Sequence, residues 1–302
     1  MKYVFGLAGI AAALLFAGGA SAQLPTDFSQ TVITTTPLRG NTYMLMGEGG
    51  NITVAVGSDS ILVVDSQFAP LYERIKAAIT AISDLPVRYL VNTHHHGDHI
   101  GGNALFAADG ATIVSQANMR TLLETGTVNG LTGNVTPPAA AEALPAETFD
   151  DMLTLRFGGR DAELGHPVGA HTSGDSFVRF RDADVLATGD IVTFGRYPNI
   201  DFANGGNINQ MIEATDAYIA MVDDDTIIVP GHGALGNKES LIDYRAMLAT
   251  SRDRVAALIA EGKTVDEIIA ARPNADYDTA MNVDETRIGN WIRVVYYSLA
   301  PR

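Results

Sequence analysis

The chain has 302 residues, no cysteine and a formal net charge of −15, from 35 acidic against 20 lysine and arginine side chains. So acidic a protein repels phosphate backbones and anionic lipid, which weighs against nucleic-acid and membrane-surface roles. The lack of cysteine excludes disulfides, thiolate metal ligands and a cysteine nucleophile at once.

Residues 1–22 read as an export leader. Lys2 is a short positive start, residues 6–19 are apolar or small, and Ala20-Ser21-Ala22 fits the small-x-small cleavage pattern, so the mature chain is expected to begin at Gln23 in the periplasm or outside the cell. The apolar run is shorter than the roughly 20 residues of a spanning helix, and no later segment reaches that length without charges, so no membrane span is expected. Residues 23–302 suffice for one large domain whose core needs no disulfide staples.

Short apolar runs separated by Gly-rich turns predict strands at 42–47, 52–57 and 61–65. Residues 71–82 then carry the helical period, with Leu71, Ile75, Ala78, Ile79 and Ile82 on one face. Further strands are predicted at 88–92, 112–115, 152–157, 176–180, 185–188 and 226–229, with helices at 118–124 and 209–221. From 237 onward the pattern is helical, over 237–261 and 264–271, with Arg272-Pro273 as a breaker. Residues 125–145, rich in Gly, Thr, Pro and Ala, read as an exposed loop with little structure of its own, or on a sharper reading as a lid. Glu48-Gly49-Gly50 reads as a simple hairpin turn.

The strand at 88–92 runs into His94-His95-His96-Gly97-Asp98-His99, four imidazoles and a carboxylate in six residues. A tag or histidine tract would sit at a terminus without ordered context, whereas this run lies between an apolar strand and a helix start. Imidazole nitrogen and carboxylate oxygen are the ligands zinc takes. The pattern recurs: the strand at 185–188 leads through Gly189 to Asp190, and that at 226–229 leads through Pro230-Gly231 to His232. His171 adds a fourth contribution from a polar turn before the strand at 176–180. In sheets covered by helices, sites form beyond such strand ends because the loops there are free to carry polar groups.

The ordered set His94-x-His96-x-Asp98-His99, His171, Asp190 and His232 resembles the metallo-β-lactamase-fold hydrolases, over roughly residues 42–235. The resemblance implies an α/β fold, a four-layer αββα sandwich with a dinuclear metal site at one edge of the two sheets, here followed by a helical C-terminal part at about 237–302. It implies His94, His96 and His171 on one metal, Asp98, His99 and His232 on the other, Asp190 bridging both, and Asp98 among the catalytic groups. The chemistry asks for such a set: two zinc ions roughly 3.5–4 Å apart bridge a water and supply it as hydroxide near neutral pH.

Within that family the cysteine-ligand subclasses carry a thiolate where Asp190 stands and a substrate-binding lysine where Thr193 stands. Asp190 resembles instead the bridging carboxylate of glyoxalase II and of broad-specificity members, a harder ligand that admits iron or manganese in place of zinc. Export favours β-lactams. The leading expectation is therefore a di-zinc hydrolase of small molecules, resembling an ancestral-type β-lactamase, that opens a cyclic amide; lactones, thioesters and other esters are the alternative. An oxygen-reducing di-iron member would be expected to carry glutamate in place of His96, a non-catalytic metal protein would show no turnover, and an RNA-processing member is disfavoured by the leader and the acidity.

Among the remaining residues, Thr193, Arg196, Tyr197 and Asn199 are candidate substrate contacts, with Asn204 in the same loop. Asp65, Thr93 and Thr172 are candidate hydrogen-bond partners of the ligand imidazoles. His95 should point away from the metals, His166 reads as a partly exposed strand-edge residue, and Trp291, Tyr296 and Tyr297 read as packing residues. The oligomeric state is left open.

Overall fold

Strand-forming runs broken by residues that tolerate left-handed backbone build the first half of the protein. The structure is a computed structural model that describes residues 27–299, so the expected leader lies outside the described residues. β1 (Thr34–Pro37), β2 (Thr42–Met46), β3 (Ile52–Val56) and β4 (Ile61–Val64) form an antiparallel meander. Its first turn is made by Gly40 and Asn41 at φ 55° and 51°. The amphipathic α1 (Tyr72–Ile82) then crosses over to bring β5 (Val87–Val91) parallel to β4. The short α2 (Gly97–Ile100) and α3 (Asn103–Ala108) lead to β6 (Thr112–Gln116), parallel to β5.

After α4 (Ala117–Thr125) comes a small hairpin, β7 (Thr127–Val128) with β8 (Val135–Thr136), and then β9 (Glu147–Phe149), which completes a seven-stranded sheet as the neighbour of β6. The second sheet has five strands: β10 (Met152–Phe157), β11 (Arg160–Gly165), β12 (Phe177–Phe180) and β13 (Val185–Ala187) run antiparallel in sequence. α5 (Ile208–Met221) then crosses over to β14 (Ile227–Val229), parallel to β13. The described residues close with α6 (Lys238–Ala260), α7 (Val265–Ala271), α8 (Ala275–Ala280) and α9 (Glu285–Leu299). Asn237 and Thr264 open α6 and α7 with capping boxes, each satisfying helix N–H groups that would otherwise lack partners.

Alternation along the strands assigns the layers. Ile61 and Val63 of β4 pack with Ile75 and Ile79 of α1 and Phe106 of α3. Leu62 and Val64, on the opposite face, meet Phe157, Leu164, Phe180 and Val185 of the second sheet. Leu186 and Ile228 turn outward from that sheet onto α5, α6 and α9, against Met211, Leu248 and Trp291. Because successive side chains of a strand point to opposite faces, three apolar interfaces make four layers, α, β, β and α. This is the sandwich expected, with the C-terminal helices extending its last layer. Among the described residues no helix is long and apolar enough to cross a membrane.

The structure adds elements to the expected set. β11, reading RDAELG, lines the inter-sheet core with only Ala162 and Leu164 as apolar residues, lays the Arg160 guanidinium over Phe157 and Phe180, and turns Asp161 and Glu163 outward. Residues 125–145, expected as a loop, contain β7, β8 and a 3₁₀ turn at Ala141–Ala143 and are otherwise mostly exposed. Near the sheet edges Asn51 ties the two halves together. Its backbone N–H donates to the Gly231 carbonyl at 2.7 Å and its side chain donates to the Pro230 carbonyl at 2.9 Å.

Candidate metal centre

β5 ends at Val91 and the chain turns through Asn92 and Thr93 into the histidine run, with His94 and His99 both buried. The turn is held by Asp65, just past β4. Its carboxylate accepts from the Thr93 N–H at 2.8 Å and from the Thr93 hydroxyl at 2.7 Å, and lies 2.8 Å from His99 Nδ1. Asp65 takes φ 64°, a left-handed conformation that Asp tolerates better than most residues. With its proton given to Asp65, the Thr93 oxygen accepts from His94 Nδ1 at 3.1 Å. Both rings are thereby oriented with Nδ1 engaged by Asp65 or Thr93, leaving Nε2 as the nitrogen that carries the lone pair once the ring is neutral.

The same logic applies on the second sheet. His171 Nδ1 donates to the Asn199 carbonyl at 2.8 Å, which frees Nε2. His96 is turned the other way: Nε2 meets Asp201 Oδ2 at 3.0 Å, leaving Nδ1 to face His171 Nε2 at 3.0 Å. Asp175 shapes the His171 turn by accepting from the backbone N–H of His171 at 2.7 Å and from the Thr172 hydroxyl at 2.6 Å. Burial pushes its carboxyl up to about 7 against those hydrogen bonds.

Two groups of donors result. His94, His96, His171 and Asp190 form one, and Asp98, His99 and His232 the other, with the donor atoms of each group within 4.8 Å of one another. Asp190 reaches both: Oδ1 lies 3.3 Å from His99 Nε2 and 3.5 Å from His232 Nε2, while Oδ2 lies 3.9 Å from His171 Nε2. His232 Nε2 lies 3.1 Å from Asp98 Oδ2. His94 Nε2 and Asp190 Oδ1 are buried without a hydrogen-bond partner, a cost that a shared cation removes. The neutral nitrogen and carboxylate donors fit a divalent metal in each group.

Electrostatics follow the donor placement. Burial holds His94 well below the ordinary imidazole range and pushes His171 down to about 4. Burial alone would also depress His99, but Asp190, Asp98 and Asp65 overcome it and hold that imidazole well above its usual range. Burial would raise Asp98 and Asp190, yet the neighbouring His99 and His232 keep both well below the usual carboxylate range.

All seven expected ligands thus converge. His95 is buried and sits on the Asp201 side of His96, its ring centre 6.5 Å from that of His94; with His96 and Asp201 it makes a third close set of donors. His166, half-buried past β11, bonds the Asp175 carbonyl at 2.7 Å. Thr172 touches no ligand imidazole and acts on the turn through Asp175.

The groups open into a cavity of about 540 Å³, lined also by Glu48, Phe68, Leu131, Thr193, Arg196, Asn199, Arg287 and Trp291. Of the four expected substrate contacts, Thr193 and Arg196 both line it, Arg196 half-buried and Thr193 with its hydroxyl buried. Tyr197 lines the cavity too, but its ring stacks on Trp291 at 5.1 Å and its hydroxyl donates to Asp278 at 2.7 Å, so its polar group is already engaged by the C-terminal helices. Asn199 lines the cavity, but its defined contact is the carbonyl that fixes His171, and Asn204 binds Asp201. Gly50 belongs to the site and is more than a turn residue, since a Cβ there would fall 2.6 Å from both ring nitrogens of His99.

A sequence profile of the Metallo-beta-lactamase superfamily matches residues 45–232. The chain is 25% identical over 190 residues to a hydroxyacylglutathione hydrolase of Polaromonas sp., covering 62% of each protein. It is 24% identical over 153 residues to a type 2 metallo-beta-lactamase of Bacillus sp., covering 51% of this chain and 54% of that one. The chain therefore spans little more than half the length of these curated relatives. A stereoselective inverting sec-alkylsulfatase from Pseudomonas sp. shares the fold at TM-score 0.67 and 16% identity, over 87% of this chain and 50% of that chain.

Proposed function

Because this chain belongs to the metallo-beta-lactamase superfamily, we propose that it is an exported hydrolase that holds two zinc ions in these donor groups and opens the cyclic amide of a β-lactam. The observation that supports the reading is Asp190, whose two carboxylate oxygens face different donor groups, so that this one side chain could serve a metal held in either. When bound, a zinc pair polarises the substrate carbonyl and brings the pKa of a water held between the ions toward neutrality.

The chain's own residues do the rest. Asp65, Thr93, Asn199 and Asp201 fix imidazole tautomers and ring orientation, so no reorganisation is needed when substrate arrives. Asp98 is partly open to the cavity and held ionised, which suits it to accept a hydrogen bond from the attacking water and orient it, not to donate a proton. A cavity of about 540 Å³ suits a small bicyclic molecule. The expected export leader would place the enzyme where β-lactams are met.

A second reading, hydrolysis of a lactone, thioester or other ester, is favoured by Asp190 standing where a thiolate would be and by the hydroxyacylglutathione hydrolase relative. Metal analysis joined to a hydrolysis screen over β-lactams, lactones, thioesters and phosphodiesters decides between them. The expected result is two zinc ions per chain and lactam opening, abolished in His96→Ala and in Asp190→Ala. Cleavage of lactones with every penicillin and cephalosporin left intact would remove the lactam reading; full activity in either variant would overturn the site assignment.

A further inference from the structure

The hairpin of β7 and β8 cannot hold its own place. Each strand has two residues, Val128 and Val135 are exposed, and so short an isolated pair is marginal in water. Its turn is closed locally: the Asn129 N–H donates to the Asn134 carbonyl at 2.9 Å, and the Asn129 side-chain oxygen accepts from the N–H groups of Leu131 and Thr132 at 3.0 and 2.9 Å. The hairpin meets the body of the protein at the 3₁₀ turn Phe202–Asn204. Gly130 lies so close that a Cβ there would fall 2.5 Å from the Phe202 ring, and Asn204 Nδ2 donates to the Val128 carbonyl at 3.1 Å. So placed, the hairpin carries Leu131 into the wall of the metal-centre cavity, which it shares with His96 and Asp98.

The same turn grips the first donor group. Asn204 Nδ2 also lies 2.9 and 2.8 Å from the two oxygens of Asp201, whose carboxylate meets His96 Nε2. Backbone bonds tie the turn to the His171 segment, where the Asp201 N–H donates to the His171 carbonyl at 2.9 Å and the Ser173 N–H to the Asn204 carbonyl at 2.9 Å. Gly206 leaves no slack, since a Cβ there would fall 2.2 Å from the His171 carbonyl oxygen. One amide side chain therefore lies between a hairpin that reaches the cavity and a carboxylate that orients a metal ligand. Ligation of His96 through Nδ1 would polarise its ring and strengthen the bond from Nε2–H to Asp201, and with it the frame that holds Asn204 on Val128.

We propose that Leu131 is a substrate-selecting residue of this site and that Asn204 is the positioning residue that couples it to His96, so that filling the metal centre fixes the hairpin and completes an apolar wall with Trp291 and Val294. The substrate class this wall favours is an acyl compound with an apolar group, such as a benzyl, on the acyl side. The proposal deepens the hydrolytic reading and rests on it for the identity of the cavity as the reaction site, whereas the coupling of hairpin to metal rests on the hydrogen bonds. Such coupling is reciprocal: what the metal does for the hairpin, the hairpin does for the metal.

The test follows backbone hydrogen exchange of residues 127–136 in metal-free and zinc-loaded protein, with α1, on the outer face of the first sheet, as the internal reference. Zinc should slow exchange in the hairpin about fivefold beyond any change in α1, one hydrogen bond's worth. In Asn204→Ala that extra protection should vanish, and zinc affinity in a chelator titration should fall by a similar factor. For hydrolysis, a matched pair is taken from the class that the substrate screen identifies, one member with a benzyl and one with a methyl group on the acyl side. Leu131→Ala should lower the preference for the benzyl member in kcat/KM about tenfold, through KM. Equal hairpin exchange with and without zinc in the wild type, or a benzyl preference that survives Leu131→Ala, overturns the proposal. An equal change in α1 and the hairpin of Asn204→Ala, the mark of a merely structural role, overturns it too. Zinc-dependent protection that Asn204→Ala abolishes, in a protein that hydrolyses nothing, would support the coupling and remove the hydrolytic reading.

Discussion

Gly231→Ala adds one carbon beside the metal centre, at a place the surrounding backbone defines. The new Cβ would fall 2.6 Å from the Gly189 carbonyl carbon and 2.7 Å from the Asp190 nitrogen, and closer still to Asp190 Oδ1. Ordinary contact begins at 3.4 Å, so the overlap with the Gly189 backbone alone is about 0.8 Å. That backbone is pinned, because Gly231 N–H donates to the Gly189 carbonyl at 2.8 Å, so the strain passes to the Asp190 carboxylate. Overpacking of this kind costs about 1–3 kcal/mol of stability, and moving a catalytic group by about 1 Å costs on the order of a hundredfold in rate. Since Asp190 serves both donor groups, Gly231→Ala should lose metal from both. Gly50→Ala, which presses on His99, should deplete chiefly the Asp98, His99 and His232 group. Gly97→Ala is the control within the motif, since a Cβ there meets nothing within 4 Å; its stability and metal content should be unchanged. Metal content by mass spectrometry under native conditions, with melting curves of the three variants, checks the series. Gly231→Ala with two metals and native melting behaviour would refute the steric argument.

Three further outcomes follow from the hydrogen bonds and charges. Asp65→Asn keeps a residue that tolerates the left-handed backbone but cannot accept from both Thr93 and His99 as a carboxylate does, so metal affinity should fall about 10–100-fold in a competitive chelator titration. Unchanged affinity would deny Asp65 its role in setting tautomers. Tyr197→Phe removes the donor to buried Asp278 and should cost about 1–3 kcal/mol in denaturant unfolding while leaving kcat/KM as it was; a catalytic defect without instability would return Tyr197 to the substrate contacts. Finally, Asp190, Asp98 and Asp65 strengthen the hold of His99 on a proton in the metal-free protein, and ligation requires the ring neutral. Loading should release protons, seen as calorimetric heats that change with the buffer, and affinity should rise with pH; buffer-independent heats would contradict this.

The ligand set is legible in the sequence because its chemistry is dense there: four residues of one motif, then single residues at strand ends. What supports those ligands is not. Asp201 meets His96 across 105 positions, and Asn199 contributes a carbonyl, which has no side-chain signature at all. Gly50 and Gly231 matter for the space they leave, visible only once His99 and Asp190 are placed. Sharing a loop with Arg196 points Tyr197 toward substrate, and nothing local announces that α8 and α9 supply Asp278 and Trp291 to hold it. Among the strands, β11 is hidden in the sequence because a strand with only two core-facing apolar residues, Ala162 and Leu164, has too weak an alternation to stand out.

The donors divide by parentage: His94, His96, Asp98 and His99 extend from the first sheet, and His171, Asp190 and His232 from the second. Neither half alone holds both donor groups, and Asn51 is one of the hydrogen-bonded stitches across their seam, with Ser176 donating to the Thr93 carbonyl as another. A metal held there is a clasp as well as a reagent, resisting any sliding of one sheet over the other. A variant that loses a ligand should then lose cohesion along with chemistry, and its metal-loaded form should melt at a lower temperature than that of the wild type.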